Sequence, residues 1–169
     1  MDEKLKQVLA KNTGKLLDQG WHCSEAMLVG LGALLTVTHP QVIKVATGFA
    51  GGIGEQKHDI CGALSGGIMV IGLLYGRSEV AGADEECERL SALYHECFFK
   101  EFGYTICQDL RDNWRGKPGQ EHCSDLVAKA SRVLLDVLDS SNIKSKRDIA
   151  RLLLEKSNEQ IKQKTGNYH

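Results

Sequence analysis

The sequence predicts an all-α protein, a compact helical bundle of about six to eight helices. Three observations lead there. Only two prolines interrupt 169 residues. Period-2 alternation is rare and β-branched runs are scarce. Apolar residues recur instead at the i, i+3, i+4 spacing of amphipathic helices. The length suits one hydrophobic core and is short for two, so residues 1–169 are read as a single domain. Hydrophobic content of 42% and charged content of 25% are globular values. A net charge of −1 gives no electrostatic basis for binding nucleic acid or an acidic membrane surface. Met1-Asp2-Glu3-Lys4 runs directly into a polar amphipathic pattern, without the apolar stretch of a signal peptide. The most apolar run, Ile60 to Tyr75, is shorter than the ~20 residues a membrane span needs. It reads as a buried core helix. Six cysteines without an export signal argue against a structural disulfide framework and for a cytoplasmic protein.

The elements follow in order. Helices are expected near 3–19, 24–36, 61–76, 83–102 and 124–138, with a short one opened by Pro40 and another at the C-terminus. In the first, Leu5, Val8, Leu9, Leu16 and Leu17 form an apolar stripe, and Gly20 is a natural stop. In Trp21-His22-Cys23-Ser24-Glu25, Ser24 suits an N-cap and Glu25 the first turn. The helix near 83–102 turns Leu90, Leu93, Tyr94, Cys97 and Phe98 inward and ends at Gly103. Its Cys87 and Cys97 lie ten residues apart, about 15 Å along a helix, too far to bond each other. Both are read as structural. Cys107 falls in a short helical turn, and Arg115 to Gly119 is a surface loop. His122-Cys123-Ser124-Asp125 repeats the earlier His-Cys-Ser-acid helix opening. The pattern ends in a helix of about 146–164, with Ile149, Leu152, Leu153 and Ile161 inward. It either caps the domain or forms part of a homodimer contact.

The stretch that organises the chain is Gly48 to Gly76, which holds nine of the 18 glycines. Its first half is too glycine-rich and polar for regular helix. Its second half is helical, with Gly62 and Gly66 four apart, a spacing that lets another backbone approach. Cys61 sits at the junction, at or near a helix N-terminus. There, unpaired N–H groups and the dipole favour a thiolate, which predicts a lowered pKa. The alternative is a small buried residue in a tightly packed helix.

Cys23, Cys61 and Cys123 thus precede or open helices, and Cys107 lies in a helical turn. No C-x-x-C occurs, which excludes a locally encoded zinc ribbon or thioredoxin motif. The fold must gather the four from separate helix ends. Helix N-termini would offset the negative charge of four metal-bound thiolates. Backbone N–H groups of the glycine-rich loop can donate to sulfur and tune such a centre. His22, His58 and His122 border cysteines and read either as solvated loop residues or as thiol partners. Neither a phosphate-binding loop nor a dinucleotide fingerprint is present, so no nucleotide is expected.

These residues carry a resemblance. Cys23 in HCSEA, Cys61-Gly62-Ala63-Leu64-Ser65-Gly66 as C-G-A-x-x-G, Cys107 in FGYTICQDLR and Cys123 in HCSDLV together resemble the redox-active family named C_GCAxxG_C_C. The resemblance runs from about residue 14 to 138, leaving about 140–169 as an extension. It implies a small helical redox protein with no assigned reaction. A related domain in split-Soret cytochromes accompanies an iron–sulfur centre. By that analogy, Cys23, Cys61, Cys107 and Cys123 would be both the redox-active residues and the ligands of an iron–sulfur cluster, [2Fe-2S] foremost. Gly62 and Gly66 would be cofactor-contacting, with an unidentified redox partner supplying or accepting electrons. No C-x-x-C-H motif for covalent haem occurs. A metal-free thiol/disulfide cycle and a structural zinc site remain as alternatives, and whether the chain is an enzyme stays open.

Overall fold

A computed structural model describes residues 1–35 and 40–140. Among them the chain is all-α, as expected. The helices are α1 (Glu3–Lys15), α2 (Cys23–Leu35), α3 (Pro40–Thr47), α4 (Gly62–Tyr75), α5 (Glu85–Phe102), α6 (Cys107–Asp109) and α7 (Cys123–Ser140). A 3-10 turn, Leu17–Gln19, follows α1, and a π-turn, Leu110–Trp114, continues α6. The only extended pairing among these residues is an isolated antiparallel bridge, Ile60 to Ile106. None of the described helices is long and apolar enough to cross a membrane. The expected C-terminal helix lies outside the described residues.

Helix α4 is apolar on all sides and is the centre of the bundle. It buries Gly62 to Gly67, Val70 and Ile71. It packs on α2, α5 and α7. Two glycines set how closely it meets α2. A Cβ on Gly66 would stand 2.7 Å from the Ser24 carbonyl oxygen and 2.9 Å from the Met27 Cβ. One on Gly62 would stand 2.2 Å from the Cys23 sulfur. On the other side, Tyr94 of α5 lies across Gly67, and its hydroxyl reaches the Ala63 and Ala130 carbonyls at 3.3 Å. Phe98, Phe102 and Trp114 continue an aromatic row from there toward the π-turn.

Helix α1 departs from the expected leucine stripe. It buries Lys6, Ala10, Thr13 and Gly14, while Val8 is 47% exposed. Close approach decides this: small residues at 10, 13 and 14 let α1 lie against both α2 and α7. A Cβ on Gly14 would be 2.5 Å from the Ser124 carbonyl oxygen. Leu9, Leu16 and Leu17 pack at the margin of the core. Lys6 buries its stem and directs its ammonium to Asp136 and Asp139 of α7, each at 2.8 Å. Gly20, at φ 95°, turns the chain after the 3-10 turn, as the sequence predicts.

The segment between α3 and α4 makes a left-handed turn. Gly51, Gly52, Ile53, Gly54 and Glu55 all have φ between 57° and 73°. Hydrogen bonds from Gly54 N–H to Gly48 O (2.9 Å) and from Lys57 N–H to Gly51 O (2.8 Å) close it. Glycine carries this conformation without a Cβ clash, whereas Ile53, Glu55 and Lys57 pay about 1–2 kcal/mol each.

Candidate functional site

Four helix starts meet at one end of the bundle. Cys23, Cys107 and Cys123 are the first residues of α2, α6 and α7, and Cys61 is the N-cap of α4. The two His-Cys-Ser-acid openings have one geometry. The His22 N–H donates to Glu25 Oε2 at 3.0 Å, and the His122 N–H donates to Asp125 Oδ2 at 2.8 Å. Each acid therefore reaches back one turn to fix its histidine at the helix cap, which pushes the cysteine to the first helical position. Ser24 is not the cap the sequence suggested. Its hydroxyl donates to the Ala46 carbonyl at 2.7 Å and ties α2 to α3.

The bridge between residues 60 and 106 brings the other two cysteines together. The Cys61 N–H donates to Thr105 O at 2.8 Å, and the Cys107 N–H donates to Asp59 O at 2.9 Å. Gln108 N–H adds a bond to Lys57 O at 2.8 Å. The left-handed turn packs against this pair, since a Cβ on Gly52 would be 2.8 Å from the Cys107 Cβ. Turn, bridge and helix starts therefore form one unit.

Cys23, Cys61, Cys107 and Cys123 all line a single cavity of about 350 Å³. Arg111, Arg115, His22 and Glu55 also border it, with Trp21 and Leu110 among its apolar walls. Cys87 and Cys97 lie apart from it on α5. All six cysteines are free thiols. Among the described residues, no three His, Cys, Asp or Glu side chains stand close enough to hold one metal ion. Of the histidines, His22 lies 3.6 Å from Glu55, and His58 and His122 are exposed.

Burial governs these thiols more than the helix ends do. It pushes Cys61 well above the ordinary thiol range, helped by the nearby Cys23 and Cys107 sulfurs. The N–H groups of Ala63 and Leu64 face the Cys61 sulfur and pull the other way, without a full capping hydrogen bond. Burial also raises Cys107, to about 11, with Cys23 and Cys123 adding to the rise and Arg111 opposing it. Cys23 is raised by burial against the N–H groups of Gly51 and Ser24 directed at its sulfur. The lowered pKa expected for Cys61 is thus reversed: desolvation of a thiolate costs more than the N-terminal N–H groups return.

Several residues of the site escaped the sequence reading. Arg115 Nη1 donates to the Cys123 sulfur at 3.6 Å, Arg111 lies near Cys107, and Glu55 reaches in from the left-handed turn. The arginines had a faint signal, since they follow Cys107 by four and eight residues, the spacing of one helix face. Glu55 had none, because no pattern encodes a left-handed turn holding non-glycine residues.

An all-α bundle with four helix-start cysteines around one cavity defines a class of small cysteine-motif proteins. The chain belongs to the C_GCAxxG_C_C family, whose model, described as "Putative redox-active protein (C_GCAxxG_C_C)", matches residues 21–137. That span contains all four cavity cysteines. No curated protein and no solved structure matches the chain.

Proposed function

We propose that this protein transfers electrons through an iron–sulfur centre, [2Fe-2S] foremost, ligated by Cys23, Cys61, Cys107 and Cys123. The observation that carries the reading is the delivery of four sulfurs from four helix starts to one cavity. The donor set fits such a centre. Backbone N–H groups of Gly51, Ser24, Ala63 and Leu64 are directed at sulfur, and Arg111 and Arg115 offset negative charge. Bound there, the centre would supply one-electron redox chemistry. The chain's part is to hold the ligands, exclude water and donate to the sulfurs. Gly62 and Gly66 contribute by letting α4 approach α2, which sets Cys61 beside Cys23.

The alternatives, a metal-free thiol/disulfide cycle and a structural zinc site, would use the same four cysteines and are separated by experiment. Redox-active thiols of this kind suit a reducing compartment such as the cytoplasm, with separate electron donor and acceptor proteins.

The test is metal and sulfide content with the visible spectrum after anaerobic purification. The expected result is iron with acid-labile sulfide and visible charge-transfer absorption. Replacing any of the four cysteines by serine removes these, whereas Cys87→Ser retains them. Colourless protein carrying zinc, or colourless metal-free protein whose thiol count changes with redox state, would count against the proposal.

A further inference from the structure

Arg115 stands out among the groups the ligand set leaves unused. It follows the π-turn and begins the loop that leads to Cys123. That loop closes on itself through Gly116 N–H to Gln120 O (2.9 Å) and Gln120 N–H to Lys117 O (2.8 Å). The Arg115 N–H bonds back to Leu110 O at 3.2 Å. The backbone is therefore anchored on both sides of Arg115, and the residue is half-buried at the cavity wall. Nη1 donates to the Cys123 sulfur, while Nε is buried with no acceptor. A neutral thiol is a weak acceptor, and an orphaned buried donor is destabilising. Both features make sense if the guanidinium faces a stronger anion than a thiol. Arg111 also borders the cavity and lies near Cys107, but makes no hydrogen bond to a sulfur among the described residues.

We infer that Arg115 is a positioning residue that raises the reduction potential of the centre by hydrogen-bonding the Cys123 sulfur; the inference rests on the iron–sulfur reading above. One electron, taken from a chemical reductant such as dithionite, adds one unit of negative charge to the thiolate-held site, and no proton or covalent bond need change. A charge-assisted donor on a ligand sulfur gains strength as that charge grows. Arg115 therefore favours the reduced form over the oxidised one, and its removal shifts the balance back.

The experiment is mediated potentiometric titration of the iron-loaded protein and its Arg115→Gln, Arg115→Lys and Arg111→Gln variants. In Arg115→Gln the reduced-to-oxidised ratio at a fixed potential falls about tenfold, a midpoint lower by ~59 mV for one electron. Arg115→Lys shifts less, because it keeps the charge while losing the fork. Arg111→Gln also shifts less, because it removes charge without removing a sulfur hydrogen bond. Unchanged midpoints in both Arg115 variants overturn the inference while leaving the iron–sulfur reading intact. So does an Arg111→Gln shift as large as that of Arg115→Gln, which assigns the effect to overall charge. If both Arg115 variants keep wild-type helicity but refuse iron that Arg111→Gln accepts, Arg115 assembles the centre and does not tune it. If the wild type itself takes up no iron and sulfide, the underlying reading fails and the inference goes with it.

Discussion

Cys61 and Cys123 both mark helix starts, yet their surroundings make them different thiols. Cys61 is 5% exposed and surrounded by core residues, whereas Cys123 is half-buried at the cavity wall under the Arg115 guanidinium. In metal-free protein, iodoacetamide should therefore label the more accessible Cys123 faster than the buried Cys61. Peptide mass spectrometry over a time course reads this directly. Cys107, with its thiol raised to about 11, should gain reactivity well above pH 9, where an ordinary thiol levels off. Labelling of Cys61 ahead of Cys123 would show that burial does not control the site. The positions of these cysteines were legible in sequence because helix-cap grammar is local: a histidine, a cysteine, a serine and an acid over four residues. Their protonation was not legible, because desolvation depends on what packs above the helix start, and that comes from distant segments.

At the scale of the element, α4 shows which glycines matter. In the sequence, Gly72 and Gly76 stand four apart just as Gly62 and Gly66 do. The structure separates them. Gly66 touches the α2 backbone, while a Cβ on Gly72 would meet nothing within 4 Å. Gly66→Ala should lower stability by about 1–3 kcal/mol, since the Ser24 carbonyl cannot yield without moving α2. Gly72→Ala should raise it by roughly 0.5–1 kcal/mol by removing helix-interior glycine entropy. Denaturant unfolding of the two variants gives the signs, and equal signs would contradict the assigned packing. Because Gly66 holds α4 against the start of α2, its variant should also weaken the Cys23–Cys61 corner of the site. The helices themselves were readable from periodicity and from stops such as Gly20 and Gly103. The leucine stripe of α1 misled, because interhelical distance favoured Ala10, Thr13 and Gly14 over bulk. The bridge from Ile60 to Ile106 was not readable, since it pairs residues about 46 apart in the chain, and no local pattern encodes the left-handed backbone at Ile53 and Glu55.

On the scale of the whole molecule, the fold is a device for converging helix starts. α1 clamps α7 through Lys6 with Asp136 and Asp139, α4 sits between α2 and α5, and the bridge fixes α6 against the start of α4. The sequence announced an all-α bundle and the requirement that its cysteines meet, but not which end of which helix would face which. That follows from glycine contacts such as Gly14 on α7 and Gly62 on Cys23. The central claim is that this convergence serves a one-electron centre. Its most direct measurement is electron paramagnetic resonance during anaerobic dithionite titration of the intact protein. The account predicts that about one electron per chain produces a half-integer-spin signal. It also predicts that the signal is absent from Cys23→Ser, Cys61→Ser, Cys107→Ser and Cys123→Ser but retained in Cys87→Ser. A silent spectrum, with two electrons taken up per chain and two thiols released, would contradict the claim and assign these cysteines to disulfide exchange.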